Sequence, residues 1–153
     1  MKIKNRKISN NAVIGSKTVI ELPSVILDCS IGENCYIGPF VHIQDGAFIG
    51  NDTHISSHSF ICGNVKIRNN VFIGHSVNFV NDKFTNGKVN RNKKLWLNIS
   101  VGNKVLIGTG STILTNKICD GAIIGAGSVV TKDILEPGIY FGNPARLYKK
   151  FKC

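Results

Sequence analysis

Isoleucine recurs every six residues along most of this 153-residue chain: Ile8, Ile14, Ile20 and Ile26, then, after one five-residue step, Ile31, Ile37, Ile43, Ile49, Ile55, Ile61, Ile67 and Ile73, with Phe79 next in line. Neither the 3.6-residue period of an amphipathic helix nor the two-residue period of a half-buried strand produces that spacing. Small or β-branched residues (Cys35, Val41, Ala47, Thr53, Ser59, Val65, Val71, Val77) stand four positions behind each, and glycine often follows at once, as in Ile31-Gly32, Ile49-Gly50 and Ile73-Gly74. Six residues make a short strand and a corner, so three units close a triangular coil of about eighteen residues with the aliphatic side chain inside. Stacked coils, roughly 4.8 Å apart, pair their backbones with the coil below. The composition fits, with 21 Ile, 16 Gly and 17 Asn, because Gly and Asn accept corner dihedrals that other residues resist. The same Gly, Asn and β-branched content excludes a helical bundle. Positions from Ile8 to Val130 supply about six coils.

At 16.7 kDa the chain is one domain, residues 1–153, and no apolar run is long enough for a membrane span. Nineteen Lys and Arg against nine acids leave a charge of +10, which calls for anionic partners. Nucleic acid is not expected, since aromatic platforms interleaved with basic residues are missing. Five cysteines form no CxxC pair, and no apolar signal segment follows the basic N-terminus, so the expectation is a reduced, cytoplasmic protein.

After Phe79 the rhythm lapses and is read as resuming at Leu95, Val101, Ile107 and Ile113, which makes residues 85–94 an insertion carrying Lys88, Arg91, Lys93 and Lys94. A polar insertion of that length reads as a lid or arm that completes a site. Counting three units per coil then puts Ile61, Phe79, Ile107 and Ile124 on one face, and Gly63, Asn81, Thr109 and Ala126 in one column. On that count Asn81 stands above two corners stripped of bulky side chains, Gly108-Thr109-Gly110 and Gly125-Ala126-Gly127. Bare backbone along the axis makes a slot for an extended amide ligand such as the pantetheine arm of coenzyme A, and the slot reading requires those corners to share one edge. Asn143 and Pro144 suit a helix start, so the final segment, about 137–153, is expected to hold a short helix whose Arg146, Lys149 and Lys150 face phosphates.

The [Ile/Val]-Gly-x4 units, with Gly125-Ala126-Gly127-Ser128-Val129-Val130 and Gly142-Asn143-Pro144-Ala145-Arg146, resemble the hexapeptide-repeat acyltransferases over nearly the whole chain. The resemblance implies an all-β, left-handed parallel β-helix, here with one inserted loop and the short C-terminal helix. Phe40-Val41-His42-Ile43 and the run from Val71 to Phe84, which contains Gly74-His75-Ser76 and Asn81-Asp82-Lys83, are similar to the dTDP-3-amino-3,6-dideoxyhexose 3-N-acetyltransferases. That implies acetyl-CoA as cosubstrate, a dTDP-linked amino sugar as acceptor, a place in surface-glycan synthesis, and a homotrimer with sites between subunits. Candidate catalytic residues are His75 as base and Asn81 to orient the amine. Asp82, Lys83 and His58 are candidates for the acceptor; Gly108, Thr109, Gly110, Gly125, Ala126, Gly127, Arg146, Lys149 and Lys150 for the cofactor. His42 and His54 are read as interface or substrate-edge residues. The histidine spacing stacks none of the four directly on another, so no metal is expected within one subunit. Two alternatives stay open: O-acetylation of a sugar hydroxyl, and a non-enzymatic β-helix scaffold.

Overall fold

A computed structural model describes residues 8–85 and 87–151; Asn86 of the insertion, and Lys152 and Cys153 of the final segment, lie outside the described residues. The chain forms a left-handed parallel β-helix of about seven turns. Its first face stacks Val13–Ile14, Ser30–Ile31, Phe48–Ile49, Val65–Ile67, Ile99–Val101 and Lys117–Ile118. The second stacks Val19–Ile20, Tyr36–Ile37, His54–Ile55, Phe72–Ile73, Leu106–Ile107, Ile123–Ile124 and Gly138–Gly142, while the third stacks Val25–Ile26, His42–Ile43, Phe60–Ile61, Asn78–Phe79, Thr112–Ile113 and Val129–Val130. Six complete coils therefore exist, as the spacing predicts, and the Ile118–Ile134 bridge with Gly138–Gly142 begins a seventh.

The second residue of almost every two-residue strand points inward. Ile26, Ile37, Ile43, Ile49, Ile55, Ile61, Ile67, Ile73, Phe79, Ile107 and Ile113 are wholly buried, each worth about 1.5–3 kcal/mol in removal from water. Small residues fill the corners from inside, and their hydroxyls bond the glycine carbonyl of the next coil: Thr18 to Gly32, Ser24 to Gly38, Ser59 to Gly74 and Ser111 to Gly125, at 2.7–3.1 Å. Glycine after the inward residue is a matter of space. A β-carbon on Gly74 would stand 2.6 Å from the Thr109 nitrogen, and one on Gly108 2.5 Å from that of Ala126. One residue per corner takes a left-handed conformation, including Asn34, Phe40, Asp52, His58, Asn70, Ser76, Gly110 and Gly127.

Two expectations are corrected. Leu95 is not a repeat position: it ends a short 3-10 turn, Lys93–Leu95, and is 60% exposed. The chain leaves the coil after Phe79 and rejoins it at Ile99–Val101, so the faces after the insertion are shifted by one from the sequence count. Ile107 pairs with Ile73, and Ile113 with Phe79. Second, the expected C-terminal helix is a strand. Ala145–Lys150 runs antiparallel to Gly138–Gly142, pairing Phe141 with Arg146 and Ile139 with Lys149. Seven residues are too few to hold a helix by themselves, whereas the open edge of the last coil offers a full row of backbone partners.

Candidate active site

The shift in register decides which residues meet. At the corner between the second and third faces, the residues two past each inward side chain are Pro39, Ser57, His75, Thr109 and Ala126, one above another. The glycine corners therefore continue the column of His75. Asn81 stands on another edge, between the third and first faces, where its Nδ2 donates to the Gly63 carbonyl at 3.0 Å. Gly63 and Asn81 share a column as expected; Thr109 and Ala126 do not belong to it.

Along the His75 corner the left-handed position is occupied in turn by Phe40, His58, Ser76, Gly110 and Gly127, with φ of 61, 63, 54, 72 and 69°. Side chains are thus compatible with this conformation in three coils. Nothing lies within 4 Å of a β-carbon built on Gly110 or Gly127, so packing does not demand glycine there either. Gly108 and Gly125, by contrast, are required by contact with the next coil, the latter with Phe141, 2.8 Å from its would-be β-carbon. The bare stretch is Thr109-Gly110 over Ala126-Gly127, and all four residues are exposed except for their backbone bonds. Gly108, Gly110, Gly125 and Gly127 spend their N–H groups between coils, on Ile124, His75, Tyr140 and Thr109. Among the described residues of this column, the N–H groups of Thr109 and Ala126, like those of Ser57 and His75, have no such inter-coil partner.

His75 is exposed, and its Nδ1 lies 2.8 Å from Ser57 Oγ, one coil earlier. A cavity of about 470 Å³ opens beside them, lined by Tyr36, Pro39, His54, Ser57, Phe72 and His75. Tyr36, His54 and Phe72 are outward rings of successive coils, stacked with centroids 4.7 and 5.2 Å apart. Burial, and then the charge of His75, lower the pKa of His54. Ser57 and this ring ladder were missed in the sequence. Their signal was spacing by eighteen: Tyr36, His54, Phe72 and Ser57, His75. His58 lies on the same corner, stacked on Phe40 at 4.8 Å. His42 lies on the third face, edge-on to Phe60, and burial lowers its pKa.

The insertion closes over the Asn81 corner of the same chain. Asp82, 9% exposed, accepts from the Phe84 and Asn90 backbone N–H groups at 2.9 and 2.7 Å and from Asn90 Nδ2 at 2.8 Å. Trp96 Nε1 donates to the Asn90 carbonyl at 2.7 Å, and the ring sits against Gly63. Lys93 reaches Asp45 at 2.5 Å and holds that carboxyl below its usual range. Asp82 thus serves first as the knot of the insertion, and Lys83 beside it is exposed. The hydrogen bonds from Asn90 and Phe84 depress the Asp82 pKa, so its stabilising contribution is present above the ordinary carboxylate range, near pH 4, and is lost as the pH falls through the folded value. Asp82→Ala is expected to speed tryptic cleavage at Lys88 and Arg91 about tenfold at neutral pH while the coils remain protected; an unchanged cleavage rate sinks the knot.

Arg146 and Lys149 stand exposed on the terminal strand, and Arg146 pairs across to Phe141, the rung beneath Gly125. Lys150 is engaged by Glu136 at 2.5 Å. Burial pushes the Cys62 thiol up to about 12 and Cys29 to about 11, so neither offers a thiolate nucleophile at neutral pH. Among the described residues no His, Cys, Asp and Glu side chains gather into a group placed to hold a metal, and no helix is long and apolar enough to cross a membrane.

Residues 28–63 match the family model described as bacterial transferase hexapeptide (six repeats). The chain is 46% identical over 52 residues to a chloramphenicol acetyltransferase of Morganella morganii, covering 33% of this chain and 25% of that protein. It is 48% identical over 48 residues to a dTDP-3-amino-3,6-dideoxy-α-D-galactopyranose 3-N-acetyltransferase of Aneurinibacillus thermoaerophilus, covering 31% and 24%. The chain thus matches about a quarter of the length of these two relatives. A crystal structure of a mutant of AntD, an N-acyltransferase from Bacillus cereus, in complex with dTDP and coenzyme A, superposes over 97% of this chain and 82% of that one, at 25% identity and a TM-score of 0.69. Six-residue repeat, three-faced coil and these likenesses agree: residues 28–63 carry bacterial transferase hexapeptide repeats, and the chain is similar to hexapeptide-repeat acyltransferases.

Proposed function

We propose that the protein transfers the acetyl group of acetyl-CoA to the 3-amino group of a dTDP-linked 3-amino-3,6-dideoxyhexose, of galacto or gluco configuration, in surface-glycan synthesis. The observation that carries the reading is the bare stretch Thr109-Gly110 over Ala126-Gly127, directly below His75 on one corner, where earlier coils carry Phe40 and His58. The likeness to AntD, in complex with dTDP and coenzyme A, supports both halves of the substrate pair. The pantetheine arm lies along the bare corner, and Arg146 and Lys149 meet the cofactor phosphates, with Lys150 first having to leave Glu136.

The sugar amine attacks the thioester carbonyl. The carbonyl oxygen becomes an oxyanion, for which the Thr109 and Ala126 N–H groups of the bare stretch are donors. Collapse expels the coenzyme A thiolate, and the ammonium proton passes to His75 Nε2 and on to the leaving sulfur. For Nε2 to accept, Nδ1 must carry the hydrogen and donate to Ser57 Oγ, an arrangement the 2.8 Å contact accommodates. Positioning of amine and thioester supplies the larger share of the barrier reduction, about 7–11 kcal/mol. Asn81 and Lys83 act from the other edge, which places them at the site of a neighbouring subunit in a homotrimer.

Gly110→Phe tests the slot. Phe40 takes the same position three coils earlier with φ of 61°, so the fold accepts the side chain at a backbone cost of about 1–2 kcal/mol. Coenzyme A affinity is expected to fall at least tenfold with the coil intact. Undiminished binding removes the corner from the cofactor site. Thiol release from acetyl-CoA that requires an amino-sugar nucleotide separates this reading from a passive scaffold.

A further inference from the structure

Away from both edges just described, the first face carries two open depressions of about 480 and 510 Å³ that join through Arg68 and Ser100. Its outward side chains are in register along the axis: Phe48 beside Lys66, Lys66 beside Ser100, Ser100 beside Lys117. Ring, ammonium, hydroxyl and ammonium thus follow one another over about 14 Å, three coil spacings.

Arg68 flanks the middle of this row, and its position is unusual. It follows the inward Ile67, where Gly15, Gly32, Gly50 and Gly102 stand in other coils. A β-carbon on Gly32 or Gly50 would come within 3 Å of the next coil's backbone. The chain thus places a guanidinium in a column built for glycine, above Gly102, which lines the same depression.

Among the described residues neither Lys66, Arg68 nor Lys117 forms an ion pair. The nearby carboxylate is Asp120, whose oxygens already accept from Asn103 N and Nδ2 at 2.9 and 3.1 Å. Those bonds, and then Arg68 and Lys117, hold it ionised. Three cations face one satisfied carboxylate, and Phe48 closes the row with a ring 47% exposed.

We propose that this trench binds a nucleoside diphosphate lengthwise, the base against Phe48 and the two phosphates between Lys66, Arg68, Ser100 and Lys117. The guanidinium offers the diphosphate a two-pronged donor, and the lysines add flexible charge on either side. The inference rests on the acetyl-transfer reading for the identity of the nucleotide, the acceptor's. With the third face turned to a threefold axis, the first face of one subunit and the second face of the next form the two walls of one cleft. The trench then opens toward the neighbour's His75.

Calorimetric titration of the full chain with dTDP, inorganic pyrophosphate and coenzyme A is the test. Arg68→Gln is expected to weaken dTDP and pyrophosphate about tenfold and leave coenzyme A unchanged. Phe48→Ala is expected to weaken dTDP alone. Lys66→Gln, a surface change, provides the same readout if Arg68→Gln melts below the parent. Unchanged dTDP affinity in these variants, or a loss confined to coenzyme A, overturns the proposal. Arg68-dependent dTDP binding without thiol release from acetyl-CoA leaves the trench standing and removes the acetyl-transfer reading; thiol release with dTDP binding indifferent to Arg68 does the reverse.

Discussion

Phe79→Ala is expected to destabilise the protein by about 3–5 kcal/mol, and to lower the melting temperature by roughly 10 °C for a chain of this size. Phe79 is wholly buried at an inward position of the coil, with Ile113 paired to it in the next coil and Val77 beside it. It is also the last inward residue before the insertion departs. The triangular interior is one side chain wide, and strands held by backbone ladders on both sides cannot move in to fill the gap. The cavity term therefore adds in full to the transfer term. Phe79→Leu keeps most of the volume and is expected to lose less than about 1.5 kcal/mol. Chemical denaturation of both variants decides: equal losses, or a loss under 1 kcal/mol for alanine, would mean that the coil collapses around the site.

Most of the fold was legible because each coil repeats the same local solution. Inward aliphatic, glycine and left-handed corner residue are all short-range demands, and they recur in the sequence at the spacing the geometry imposes. Register after residue 79 was not legible. Leu95 lies six before Val101, so it imitates a repeat unit, although no backbone ladder receives it; only the pairing of Lys66 with Ser100 reveals where the coil resumes. That one false unit moved Thr109 and Ala126 from the His75 corner to the Asn81 corner on paper. The C-terminal strand was hidden for a related reason. Pro144 and the basic run after it satisfy helix-start rules, while the competing partner, the open edge at Gly138–Gly142, exists only once the coils are stacked. Asp82 looked like a substrate acceptor because a carboxylate next to Asn81 has no partner in the sequence. Its donors come from Phe84 and Asn90, a tertiary fact about how the insertion folds.

His75→Ala is expected to lower kcat for acetyl transfer by about 10²–10⁴ if the imidazole takes the proton from the attacking amine. The ring is exposed and its one protein hydrogen bond is to Ser57, so stability should change by no more than about 0.5 kcal/mol, which keeps the activity loss interpretable. Ser57→Ala should produce a smaller fall in kcat, since the ring then loses the hydrogen bond at Nδ1 that orients it. The competing account is physical, not merely sceptical: part of a sugar amine is already neutral at pH 7, and alignment alone supplies more than a base does. The two accounts separate on the size of the loss. With His75 as base, kcat falls by at least about a hundredfold in His75→Ala, and coenzyme A affinity stays put because the slot is backbone. If instead kcat falls less than about tenfold, His75 only borders the site, and the bare corner below it carries the reaction by position.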